Sequence, residues 1–319
     1  MRRLKGMIAL IIALALPAAG ARGQSPDVIG ARELAAGGLI ILPDHALLLD
    51  VYDLSIAHDE IRASYTVTNL AAEARTVMVT FPLPDIDTLG LIDYTVALPK
   101  LDAANFVGAT YTVDGVAVEP GIEQRAQSLG LDVTSALSAH DVPLFPFRAD
   151  VAERLRQLEP AIGKDLVQRG ILRQEGDKLV PAWTLKTTAF WRQSFAPGKA
   201  TVLTLTYTPV LGSGRPDTAT IDHMSKTYCL DNDAEAVVTE YASAPTIGPP
   251  PLIWLSYTLT HVAAWTLPAA KFRLRIGKPA PDSLMLSCRQ DFKRIGPTVY
   301  EWTAKDFYPD DDIAVLFTR

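Results

Sequence analysis

Ile61-Arg62-Ala63-Ser64-Tyr65-Thr66-Val67-Thr68 is the stretch on which the fold class turns. Ile61, Ala63, Tyr65 and Val67 alternate with Arg62, Ser64, Thr66 and Thr68, so an extended chain carries one apolar and one polar face. Residues 69–74 are polar or small and read as a connection. Val77, Val79 and Phe81 then read as a returning strand that Pro82 and Pro84 end, because proline has no N–H to give a ladder. Downstream, Asp114-Gly115 sits between short β-prone runs, the signature of a type I′ hairpin. Upstream, the glycine pair of Ala35-Ala36-Gly37-Gly38-Leu39 permits a turn but lacks the spacing of a phosphate-binding fingerprint.

The character changes after Pro120. Residues 122–176 are rich in Ala, Leu, Gln, Glu and Arg, which favour helix. Asp150 followed by Glu153 has the spacing of a capping box, and Val151, Leu155 and Leu158 form an apolar stripe behind it. Pro160 can open a further helix and Gly170 can close it. Strands resume at Trp183: residues 184–195 are β-branched and aromatic, Ala196-Pro197-Gly198-Lys199 makes a turn, and Leu203, Leu205 and Tyr207 alternate with threonines. One helix is expected near residues 234–241, and the remainder reads as strands, among them Phe272, Leu274 and Ile276 alternating with Lys271, Arg273 and Arg275. The fold class implied is mainly β with a helical insertion (α+β), built of antiparallel β-sandwich-like sheets. The division implied is a signal peptide at 1–21, an antiparallel β domain at 22–120, the helical insertion at 121–178, and a β-rich region with one short helix at 179–319.

Location follows from the N-terminus. Arg2, Arg3 and Lys5 precede an apolar core at residues 7–16, too short to span a bilayer; Pro17 breaks it, and Ala19-Gly20-Ala21 supplies the small residues a signal peptidase reads. Cleavage is expected between Ala21 and Arg22, releasing the protein to the periplasm or medium. A second uncharged stretch, residues 252–270, is nearly long enough to cross a membrane. Ile253, Leu255, Tyr257 and Leu259 alternate there with Trp254, Ser256, Thr258 and Thr260, the period of a strand, so no transmembrane span is expected in the mature protein. The chain has 30 Lys+Arg against 36 Asp+Glu, and removing the signal takes away three cations. An acidic protein without basic runs is unsuited to nucleic acid, whose phosphates demand clustered cations. Its two cysteines, Cys229 and Cys288, are most simply read as one disulfide in an oxidising compartment; the alternative is two unpaired buried thiols.

Catalytic patterns are missing: there is no G-x-S-x-G elbow, P-loop, H-E-x-x-H or cysteine-based metal motif, so neither catalytic residues nor a cofactor or metal is expected. His58-Asp59-Glu60 and Asp222-His223 place carboxylates beside an imidazole, but neighbours in a strand face opposite ways and a polar loop is the plainer reading. Asp231-Asn232-Asp233 and Asp310-Asp311-Asp312 are acidic clusters without the ligand spacing of a calcium loop; helix capping and a solvated turn account for them. Lys271, Arg273, Arg275 and Lys278 form the one basic stripe, suited to an anionic surface or to a solvated sheet face.

Several segments in order are similar to a known family. They are Ala35-Ala36-Gly37-Gly38-Leu39, Phe81-Pro82-Leu83-Pro84-Asp85, Phe190-Trp191-Arg192-Gln193-Ser194-Phe195, Tyr228-Cys229-Leu230-Asp231, Cys288 and Asp306-Phe307-Tyr308-Pro309-Asp310. The chain resembles, from Leu34 to Phe317, the exported bacterial proteins of domain-of-unknown-function family 4424. An Asn-Trp of that pattern is Ala264-Trp265 here. The resemblance implies a β-rich exported protein and carries no catalytic residues. The strand pair up to Pro84 also resembles the opening of the inter-alpha-trypsin-inhibitor N-terminal β domain, an analogy for a β-sandwich alone. The expectation is a non-enzymatic envelope protein that binds a protein or polysaccharide or plays a structural part, the alternative a secreted hydrolase with a site assembled from distant strands.

Overall fold

The computed structural model describes residues 31–91, 96–101, 103–215, 217–243, 252–259, 268–309 and 311–318. Short strands β1 (Ala36–Gly37) and β2 (Ile40–Ile41) lead into the long pair β3 (Leu47–Ala57) and β4 (Ile61–Asn69). Then come β5 (Arg75–Pro82), β6 (Ile86–Asp87) and the hairpin β7 (Thr110–Val113) and β8 (Val116–Val118). β9 (Gly121–Ser128) and β10 (Leu131–Asp132) precede α1 (Thr134–Ser138), α2 (Ala149–Arg156) and α3 (Pro160–Gln168). β11 (Leu172–Glu175), β12 (Lys178–Pro181), β13 (Thr184–Phe195), β14 (Ala200–Tyr207) and β15 (Gly212–Gly214) follow. Helices α4 (Thr218–Tyr228) and α5 (Asn232–Ser243) separate these from β16 (Leu252–Thr258) and β17 (Ala269–Gly277). Next are β18 (Met285–Leu286), β19 (Lys293–Arg294), β20 (Val299–Phe307) and β21 (Ile313–Thr318).

The largest sheet has the order β19-β20-β17-β3-β4-β14-β7-β8, antiparallel except where β17 lies parallel to β3. A six-stranded sheet runs β10-β9-β13-β5-β2 with β6 beside β13, and a five-stranded one runs β1-β16-β21-β18 with β15 beside β16. Their apolar faces share one core, in which Ala63 and Tyr65 of β4 join Val79 and Phe81 of β5 and Val315 and Phe317 of β21. The mainly β, largely antiparallel architecture with inserted helices is the one the alternation implies. The helical insertion has its own smaller core around Leu137, Val151, Leu155, Leu166 and Trp183.

The returning strand goes elsewhere than its alternation suggests. β4 pairs with β3 and β14 in the largest sheet, whereas β5 pairs with β13 and β2 in the six-stranded one. The turn after β13 makes the same crossing to β14, so two neighbouring strands bend together from sheet to sheet. Asn69, fully buried, fastens this corner. Its Nδ2 donates to the carbonyls of Glu73 and Phe195, both at 2.9 Å, and its own carbonyl accepts from Gly198 N at 2.8 Å. Alternation cannot distinguish the two sheets because the inward face is apolar in both.

Three further differences have local causes. Residues 121–128 form strand rather than helix, because the ladder with β13 outweighs a weak helical propensity. α2 begins after Arg148, and Asp150 does not cap it: the Arg148 guanidinium grips that carboxylate at 2.6 and 3.0 Å. Helix α5 contains residues 234–241 as expected, but α4 before it was not foreseen. Pro160 does open α3, and Asp114 and Gly115 adopt the positive φ of the expected hairpin turn. In residues 252–270 the described parts are strands β16 and β17. Among the described residues no helix is long and apolar enough to cross a membrane. The signal segment, with Ala21 and Arg22, lies outside the described residues, as do Ala264-Trp265.

Candidate functional site

A ladder of aromatic rings runs through the core. It begins at Tyr65 of β4, whose ring stacks on Tyr52 of β3 at 4.6 Å between centroids; Tyr52 in turn lies 5.1 Å from Phe272 of β17. At the tyrosine end the polar atoms are mutually satisfied. Tyr52 and Tyr257 hydroxyls are 2.7 Å apart, Tyr65 Oη accepts from Leu39 N at 3.0 Å, and Tyr207 Oη donates to the Gly37 carbonyl at 3.1 Å. Burial pushes all four phenols above their usual range, so they stay protonated and keep donating. This explains Gly38: a Cβ there would lie 1.9 Å from Tyr65 Oη and 2.5 Å from Tyr257 Oη. Gly38 thus serves close approach to the phenols rather than a turn, and Gly37 offers its carbonyl to Tyr207.

The other end of the ladder opens into a cleft of about 640 Å³. Its floor is Phe272 stacked on Phe307 at 4.1 Å, with Leu259 and Ile313 beside them. Trp302 stands edge-on to both phenylalanines, at 5.6 and 5.7 Å. The loop after Cys288 forms the wall. Arg289 lies over the Trp302 ring, 3.7 Å from its centroid; Trp302 Nε1 donates to Asp291 Oδ2 at 2.7 Å, and Arg289 Nη1 is 3.7 Å from Asp291 Oδ1. Gln290, Asp311 and Asp312 add polar groups, Asp312 Oδ1 accepting from Leu259 N at 2.9 Å. An apolar floor with a few convergent polar groups, at this volume, is the usual make-up of a small-molecule site.

Two local devices build the cleft. The first is Asp306, held at φ 49°. Trp302 and Ala304 of β20 pack against the core, and strict alternation would send Phe307 outward. The left-handed residue shifts the phase by one, which aspartate tolerates better than most side chains, and Phe307 turns in to meet Phe272. The second is at Cys229 and Cys288, whose Sγ atoms lie 2.08 Å apart, at bonding distance. Cys229 ends α4 in the left-handed conformation, and α4 and α5 pack through Ile221, Met224 and Val238 onto Leu252 and Leu316 of the five-stranded sheet. The cleft wall is thereby tied to a helix that the sheet already holds.

The other residues singled out by sequence are scattered. His58 sits at the turn between β3 and β4, with Nδ1 3.7 Å from Asp59 Oδ1. His223 is exposed on α4, where Nε2 lies 3.5 Å from Thr227 Oγ1. Asp231 caps α5 by accepting from Ala234 N at 2.8 Å. Asp310 lies outside the described residues, while Asp311 and Asp312 line the cleft. Arg273 is paired with Asp53, Arg275 with Glu301, and Lys278 Nζ donates to the Pro281 carbonyl. Sequence reasoning missed Arg289, Asp291 and Trp302 altogether. Their signal is faint, a polar run directly after the second cysteine.

The family model described as Domain of unknown function (DUF4424) matches residues 30–316, and the chain belongs to that family. Among curated proteins nothing matches. Among solved structures the fold is similar to that of a candidate nutrient binding protein from Legionella pneumophila subsp. pneumophila str. Philadelphia 1. The TM-score is 0.51 at 11% identity, covering 91% of this chain and 72% of that one. At such identity the likeness is one of fold.

Proposed function

We propose that this protein is a non-enzymatic binding module of the bacterial envelope, working outside the cytoplasm, and that its cleft holds a saccharide unit of an envelope polysaccharide. The stacked Phe272–Phe307 floor beneath the Arg289–Asp291–Trp302 wall carries the reading. A sugar ring has an apolar face that packs on aromatic rings and an equatorial rim of hydroxyls that pairs with carboxylate, amide and guanidinium groups. Asp291 and Asp312 already accept hydrogen bonds from Trp302 and Leu259, which suits fixed orientation better than proton transfer to a substrate and argues against the hydrolase alternative. The fold's likeness to a candidate nutrient binding protein agrees with a binding role. Export is supported by the signal-like N-terminus and by the bonding-distance cysteine pair.

A thermal-shift screen of the mature protein against monosaccharides and envelope oligosaccharides tests the proposal, with each mixture analysed afterwards for cleavage. The expected result is a rise in melting temperature with at least one saccharide, which is recovered intact. Shortened saccharide in the mixture would favour the hydrolase reading, and no shift with any saccharide would overturn the ligand class.

A further inference from the structure

The outer face of the largest sheet, opposite the cleft across β17, contains a second hollow. Register places Arg275 of β17, Ser55 of β3 and Arg62 of β4 side by side, with Arg273, Asp53 and Ser64 in the next outward-facing row. Short serines between long arginines leave a depression of about 210 Å³, lined by Asp53, Ser55, Arg62, Ser64, Arg273 and Arg275. Its charges are unequally matched. Both Asp53 oxygens are taken by Arg273, at 2.6 and 2.7 Å, and Glu301 accepts from Arg275 Nε at 3.1 Å. The Arg62 guanidinium makes no hydrogen bond or ion pair with any described residue. Two terminal amino groups of Arg275 are left free by its single bond to Glu301. The hollow is thus locally positive in a chain with 36 acidic and 30 basic residues.

We propose that this hollow binds a phosphate group. Guanidinium donors on two sides of a serine floor match an oxyanion that accepts several hydrogen bonds at once. Arg62 supplies the uncompensated charge, Ser55 and Ser64 add hydroxyl donors, and the Arg273–Asp53 pair keeps the third guanidinium in place. The basic stripe therefore acts at one point beside β3 and β4 rather than along the whole of β17.

Calorimetric titration of the mature protein with inorganic phosphate, beside co-sedimentation with phosphatidylglycerol vesicles and with phosphatidylcholine vesicles as control, tests this. Expected is phosphate binding that weakens with added salt and falls about tenfold or more in Arg62→Gln, whose melting temperature is unchanged because Arg62 is exposed. Ser55→Ala should weaken it less. Arg62-dependent pelleting with the anionic vesicles alone would identify a lipid headgroup as the source, and phosphate binding without pelleting a soluble one. Equal affinity in Arg62→Gln, or no binding to either probe, would overturn the proposal. Trp302→Ala, altering the cleft, should leave phosphate binding untouched, so the two sites fail independently.

Discussion

The two ends of the aromatic ladder are made of similar side chains on neighbouring strands, yet one is closed and the other open. At the tyrosine end four phenols and the backbone of residues 37–39 satisfy one another, and a missing Cβ at Gly38 leaves room for them. At the cleft end phenylalanines replace tyrosines, the rings lack polar atoms of their own, and order is imposed from outside by the Cys229–Cys288 link and the Arg289–Asp291 clamp. A self-satisfied network needs nothing further and specifies a unique core. A braced apolar floor with polar walls leaves bonding capacity for something else, and on that difference rests the proposal that the cleft is the ligand site.

Removing the brace should have the largest effect. Replacing both Cys229 and Cys288 by Ser should cost about 4 kcal/mol in urea unfolding, from the closure entropy of a link 59 residues apart. Trp302 emission should shift to the red as the wall loosens. Gly38→Ala strikes the closed end and should cost about 3 kcal/mol through overpacking; adding Tyr65→Phe should recover part of the loss, because the phenol oxygen is the atom struck. Tyr52→Phe orphans its partner hydroxyl on Tyr257 and should cost about 1–2 kcal/mol, with no effect on any cleft ligand. Arg289→Ala should cost about 1 kcal/mol or less while changing Trp302 emission and weakening ligand binding.

The smallest effect concerns pH. Glu33 is packed against β16, with Ser256 Oγ donating to Oε1 at 3.0 Å and Oε2 buried without a partner. Burial, offset in part by the Ser256 bond, raises its pKa above the usual 4.5. The sign follows from linkage: the contribution of this group to stability is full below the unfolded value and is lost as pH rises through the raised folded value. Glu33→Gln should therefore flatten the stability profile between those two values and make the protein slightly more stable at neutral pH, as denaturation midpoints across pH would show.

Much of the scaffold was legible because its signals are local. The Asp114-Gly115 turn, the alternation of residues 61–68 and the proline opening α3 each depend on neighbours in sequence. The sheet crossing at Asn69 was not, since it rests on bonds to Phe195 and Gly198 far along the chain. The strand at 121–128 was hidden by helix-favouring side chains that only the β13 ladder overrides. The cleft was least legible of all: its members come from α4 and from residues 259 to 314, and Phe307 joins only because Asp306 breaks the alternation.

The most direct test of the cleft as the ligand site is calorimetric titration of one binding saccharide into the wild type, Tyr52→Phe and Trp302→Ala, each first shown to be folded. Saturable heat is expected in the wild type and Tyr52→Phe and none in Trp302→Ala. Undiminished heat in Trp302→Ala would contradict the proposal.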